Sequence, residues 1–192
     1  MNGQLEEWIM ITKSRRVKKM NKTRKLTLTS VIIAITTISS HLIYIPIGFA
    51  KIFPIQHFAN VLLAVLLGPW YAVGGALIVS TLRNLMGTGS IFAFPGSVIG
   101  ALLAGFFYVK TKKLGFAFVG EVIGTGLLGA VATYPIAVLL LGKELTLFGF
   151  VPAFIFSSFT GAFLAYGLLK VMMKNKIMGG LLNENGAYNS RI

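Results

Sequence analysis

Gln56, His57 and Asn60 stand within five residues of one another, in a chain where long stretches pass with hardly a charge. Lys51, Phe53 and Pro54 come just before them. Polar side chains at membrane depth are costly and tend to mark ligand or ion sites. On a helix, Gln56 and Asn60 are four apart and His57 and Asn60 three apart, so all three share a face. The two amides offer donors and acceptors, and the imidazole can play either part. That is the chemistry of reversible binding of a small polar molecule. The competing reading is bonding between helices, at about 0.6 kcal/mol per contact. Three such residues so close together, beside an aromatic ring and a lysine, favour a ligand site.

A second group follows. Ser80, Arg83 and Asn84 share a helical face, and Gly87-Thr88-Gly89-Ser90 behind them reads as a turn rich in hydroxyls and free N–H groups. An arginine at the centre of a spanning helix costs about 2.5–3.5 kcal/mol on insertion scales. Near a helix end it can snorkel to the surface instead, so lining a cavity and snorkelling are both open to Arg83. His41 is a lone polar residue near the end of the first apolar run, in keeping with an interfacial position. Glu121 is the one acid inside an apolar segment. It is expected about 7 Å from the inner end of its helix, far from the polar cluster and with no chain of titratable partners to relay a proton. Gly124-Thr-Gly126-Leu-Leu-Gly129 matches a dinucleotide fingerprint literally, but it lies inside an apolar run with no strand before it, so it reads as helix packing.

The elements that must carry these residues are membrane helices. Of 192 residues, 55% are hydrophobic and 12% charged, against about 25% charged in soluble domains, and the mean hydropathy is +0.79. The fold class is all-α: an integral membrane bundle of six transmembrane helices. The segments are Leu26–Ile45, Ile55–Leu67, Trp70–Met86, Ile91–Val109, Phe116–Leu141 and Phe150–Met173. The second is short, about 20 Å against a hydrocarbon core of about 30 Å, which together with its polar start suggests a cavity beside it. Gly96, Gly100 and Ala104 form one stripe of small residues and Gly120 and Gly124 another, letting helices approach closely. Ser30, Ala34 and Ile38 form a partial stripe on the first helix.

Fifteen of the 18 basic residues fall on one side of this topology, eight of them between Lys13 and Lys25; Lys51, Arg83 and Lys143 fall on the other. The asymmetry places both termini in the cytoplasm and the polar clusters at the outer face. It also accounts for the net charge of +13 through anionic lipid, with no nucleic acid involved. Residues 1–20 are expected to be a disordered basic extension, with Met20 as a natural start of translation, residues 21–175 the membrane domain and 176–192 a cytoplasmic tail. Cysteine and aspartate are both absent, which leaves no disulfide framework, no metal site and no paired-carboxylate hydrolase. The chain is expected to be no enzyme and to need no cofactor.

The run Lys51-Ile-Phe-Pro-Ile-Gln-His-Phe-Ala-Asn60, then Leu67-Gly-Pro-Trp-Tyr-Ala72, Leu82-Arg-Asn84, Gly87-Thr-Gly-Ser90 and Phe94-Pro-Gly-Ser97, resembles the ThiW family over about residues 21–175. Gly120-Glu121 and Tyr134-Pro135 fit as well. ThiW proteins resemble the substrate-binding S components of energy-coupling-factor transporters, and are taken to carry hydroxyethylthiazole, the thiazole precursor of thiamine. The resemblance implies six helices, a vitamin-sized ligand bound near the outer surface, and partners: a transmembrane coupling protein and two ATPase subunits. It implies stacking by Phe53, Phe94 and Tyr134 and bonding by Gln56, His57, Asn60 and Asn84, with Arg83 beside them. A small-residue stripe at Ser30 and Ala34 would dock the coupling protein, though neither Ser30–Ala34 nor Ala34–Ile38 is a clean match to the family's pair of alanines. Hydroxymethylpyrimidine or thiamine as ligand, or a membrane scaffold without a ligand, are the alternatives.

Overall fold

The computed structural model describes residues 20–47, 50–140, 142 and 149–174. The expectations for the N-terminal extension, Lys143 and the C-terminal tail lie outside the described residues. Helix α1 spans Lys22–Leu42, capped by Asn21, whose side chain accepts from the Arg24 N–H at 2.9 Å. It stops earlier than expected. Pro46 disfavours helical backbone in the residue before it, so Ile45 becomes the first residue of a strand. Strands β1 (Ile45–Ile47) and β2 (Ala50–Ile52) pair antiparallel, with Ile45 opposite Ile52 and Pro46 opposite Lys51. A proline is tolerated there because both strands of so small a sheet are edges. This hairpin, absent from the sequence reading, is an addition to an otherwise helical molecule.

Helix α2 spans Pro54–Leu67 and α3 spans Pro69–Leu85, each with proline in its first turn, where the missing N–H costs nothing. Gly68 joins them at φ +97°, a conformation glycine adopts without strain. Helix α4 covers Ala93–Thr111. The next segment, α5, runs end to end through Leu114–Ile123, a π-helical stretch Gly124–Gly129, then Ala130–Pro135 and a second π-helical stretch Ile136–Leu140. Helix α6 is Val151–Lys174. Four of these (α1, α4, α5 and α6) are long and apolar enough to cross a membrane.

The short helix α2 sits at the centre, packed against α1, α3, α4, α5 and α6. It is buried almost all round, Gln56, His57 and Asn60 included. One side packs Leu63 and Ala64 on Ile32, Ala72, Ala76, Ala101 and Ala104. The other packs Val61 and Val65 on Tyr108, Ala117, Ala162, Ala165 and Leu169. The small-residue stripes meet: a Cβ on Gly124 would lie 2.7 Å from Gly100 Cα, one on Gly120 2.7 Å from the Leu103 carbonyl oxygen, and one on Gly129 would collide with Gly96. The literal dinucleotide fingerprint is thus helix packing: Gly124 and Gly129 lie on the seam between α4 and α5, and Gly126 faces Ile155 of α6.

Candidate functional site

The site follows from where α2 begins. The Phe53 N–H, just before Pro54, donates to Ser157 Oγ at 3.0 Å. A Cβ on Gly161 would collide with the Pro54 carbonyl oxygen and lie 2.8 Å from His57 Cβ. Ser157 is already six residues into α6, about 9 Å below its end at 1.5 Å per residue. The hairpin therefore dips into the bundle and starts α2 below the rim, leaving a cavity of about 770 Å³ above it. Gln56, His57, Arg83, Ser97 and Thr125 line its deeper part. Ser40, His41 and Tyr44 at the end of α1, the Gly87–Ser90 turn, and Phe92, Phe150 and Phe154 form the walls.

A polar network underlies the cavity. Arg83, only 1% exposed, donates from Nη1 to Gln56 Oε1 and from Nη2 to the Thr88 carbonyl at 3.0 Å. Its guanidinium lies 3.9 Å from the centre of the Phe53 ring, a cation–π contact. Because arginine only donates, Gln56 must present its oxygen to Arg83 and its nitrogen to Ser80 Oγ at 2.8 Å and Ser97 Oγ at 2.7 Å. Asn60 Nδ2 reaches the Ser97 carbonyl at 3.2 Å and Glu121 Oε1 at 3.0 Å. His57 Nδ1 lies 2.8 Å from the same Glu121 oxygen, and Thr125 Oγ1 sits between that oxygen, at 3.1 Å, and the Gly96 carbonyl, at 3.0 Å.

This corrects the expectation for Glu121. The carboxylate is fully buried and sits in the heart of the polar cluster. Two features bring it there. Helix α2 starts below the rim, which lowers His57 and Asn60 toward the middle of the bundle. Helix α5 begins at Leu114, two residues earlier than expected, and Gly120 seats it against Leu103 and Ala104, midway along α4. Gly100 leaves room for the acid: a Cβ there would lie 2.9 Å from Glu121 Oε1 and collide with Thr125 Oγ1.

The other expected residues divide. Phe53, Gln56, His57 and Arg83 line the cavity. Asn60 lies behind it, 2% exposed and occupied by Ser97 and Glu121. Asn84 braces the adjoining turn, donating to the Ser80 carbonyl at 2.8 Å and the Ser90 carbonyl at 3.2 Å. Phe94 and Tyr134 are half-buried and do not line the cavity. Phe92, in the turn just before α4, lines it instead, and packs on Phe150 with ring centres 4.8 Å apart. Arg83 does not snorkel, and His41 is at the cavity wall. Ser30, Ala34 and Ile38 are exposed on the outer face of α1. The Lys51 side chain lies outside what is described. Among the described residues, no three of His, Cys, Asp or Glu gather to hold a metal.

Sequence reasoning missed Glu121, Ser97, Thr125, Phe150, Phe154 and Ser157. Glu121 carried a signal, as the lone acid in an apolar run. The phenylalanines carried none, since aromatic rings are ordinary in membrane helices.

The family model described as thiamine-precursor transporter protein (ThiW) matches residues 26–175, most of the chain. No curated protein matches, and no solved structure does.

Proposed function

The chain belongs to the ThiW family of thiamine-precursor transporters, and we propose that it is the substrate-binding S component of an energy-coupling-factor importer for hydroxyethylthiazole. The ligand enters the cavity from the outer face. It stacks on Phe53 and the phenylalanine wall and bonds to His57 and the polar floor. A coupling protein docked along the Ser30–Ala34 face of α1 and two ATPase subunits then drive release inward. The observation that carries the reading is the cavity: an aromatic wall over a few convergent polar groups, at one end of a membrane bundle, is the form of a small-molecule site.

The charge on its walls favours a neutral ligand. Arg83 lines the cavity, and no carboxylate does so among the described residues. A thiazolium cation such as thiamine would face that charge in a poorly solvated space, whereas the uncharged thiazole alcohol does not. Pairing of Gln56 and Asn60 across helices is what a scaffold protein would also show. A scaffold has no use for a cavity of this size with an open imidazole in it.

Calorimetry on the purified protein with hydroxyethylthiazole, hydroxymethylpyrimidine and thiamine tests the proposal. The thiazole is expected to bind tightest and thiamine at least tenfold more weakly. Equal or tighter binding of thiamine overturns the thiazole assignment, and failure of all three to bind overturns the S-component reading.

A further inference from the structure

His57 meets its surroundings through two different nitrogens. Nδ1 is engaged with Glu121 Oε1 at 2.8 Å. The residue lines the cavity, and its Nε2 has no hydrogen-bond partner among the described residues. What the cavity offers a ligand here depends on which nitrogen carries the proton.

The network decides it. The Ser97 carbonyl can only accept, so the Asn60 atom 3.2 Å from it is the amide nitrogen. That same nitrogen lies 3.0 Å from Glu121 Oε1, which therefore already accepts one N–H. Thr125 Oγ1 lies 3.1 Å from the same oxygen and 3.0 Å from the Gly96 carbonyl, and its single proton serves one of the two. An oxygen surrounded in this way is the acceptor in its contact with His57, and the proton between them sits on Nδ1. A neutral imidazole with Nδ1–H has a bare lone pair on Nε2.

We propose that Glu121 is a positioning residue that holds His57 in its Nδ1–H form, so that Nε2 stands in the cavity as a hydrogen-bond acceptor and selects a ligand carrying a hydroxyl donor. A carboxylate behind a histidine fixes ring orientation and tautomer in the same way in metal sites and hydrolases. Here it serves recognition: an alcohol completes the lone pair, and an ether or a bare alkyl arm leaves it buried without a partner. That the hydroxyl belongs to a thiazole alcohol rests on the function proposed above. The form of His57 does not.

Nitrogen NMR of the detergent-solubilised protein with 15N-labelled histidine tests the first half without any ligand. Only two histidines contribute, His41 and His57, and comparison with His57→Gln assigns them. At neutral pH the expected His57 signature is a protonated Nδ1 and a bare Nε2. Glu121→Gln should keep it, since an amide oxygen can accept from Nδ1–H, and Glu121→Leu should shift it toward the Nε2–H form usual in water. A wild-type ring protonated on Nε2, alone or together with Nδ1, overturns the proposal, whether or not Glu121→Leu folds.

Calorimetry with hydroxyethylthiazole, its methyl ether and the 5-ethyl analogue tests the second half. The ether and the ethyl compound should bind roughly five- to 150-fold more weakly than the alcohol, the cost of one unmade buried bond, and the gap should close in His57→Phe. Glu121→Gln should lose less affinity than Glu121→Leu. Equal binding of alcohol and ether overturns selection by Nε2. If none of the three binds, the thiazole function falls, while the spectrum still rules on the dyad.

Discussion

Gln56 holds more of the site together than its side chain suggests. Its oxygen receives Arg83 and its nitrogen serves Ser80 and Ser97, so one amide joins α2, α3 and α4 beneath the cavity. Arg83 is buried, and its Nε has no partner among the described residues. Removing Gln56 strips a further bond from a charged group that water cannot easily reach. Leaving a buried polar group unmade costs about 1–3 kcal/mol, whereas replacing both partners by apolar groups can be nearly neutral. Gln56→Ala is therefore expected to lower the thermal midpoint in detergent by that much stability, and Gln56→Leu with Arg83→Leu to recover part of the loss. A Gln56→Ala protein as stable as wild type would show that the network carries no weight. At this scale the sequence was legible where polarity broke an apolar run: Gln56, His57 and Arg83 stood out for that reason. It was not legible where a residue's value depends on depth. Glu121 was visible as an acid, but its partnership with His57 arises from how far α2 sinks into the bundle, and no spacing along the chain encodes that. Phe94 and Tyr134 failed for the converse reason. An aromatic side chain tells nothing of which way it points.

The shortness of α2 was the best clue at the scale of elements. A helix of 14 residues reaches about 21 Å, and the cavity occupies the length it leaves unfilled. The hairpin above it was not foreseen, because strands of three residues show no alternation to detect. Pro46 signalled only a stop. The π-helical stretches of α5 were equally silent, although Pro135 sits just before the second. What fixes the depth of α2 is its seat on α6 at Gly161, where a Cβ would strike the Pro54 carbonyl. Backbone cannot swing aside like a side chain, so Gly161→Ala has to move the start of α2, and His57 with it. Overpacking of this kind typically costs about 1–3 kcal/mol. Gly161→Ala should lower the thermal midpoint and weaken thiazole binding together. Gly115→Ala makes a control, since an added Cβ there meets nothing within 4 Å. Unchanged ligand affinity in Gly161→Ala would show that the seat does not set the site's depth.

The molecule as a whole is a charged vessel with its ends distinguished. Lys22, Arg24 and Lys25 open α1, Lys110 closes α4 with Lys112 and Lys113 behind it, and Lys170 and Lys174 close α6. By connectivity all of these lie at the end opposite the hairpin and the cavity. Lysine and arginine are retained on the cytoplasmic side of a membrane, where anionic lipid rewards each by about 1 kcal/mol. On this ground we propose that the cavity opens outward, as the importer function proposed above requires. The chain contains no cysteine, so single cysteines report topology without background. A cysteine at Lys112, in the turn between α4 and α5, should react with a membrane-impermeant maleimide only after the cells are opened. One at Thr88, whose turn lies at the cavity wall, should react in intact cells, and hydroxyethylthiazole should slow that reaction by occupying the space beside it. Labelling of the Lys112 position in intact cells, with protection of the Thr88 position until lysis, would turn the molecule over. The cavity would then face the cytoplasm, and an importer's receiving site could not be there.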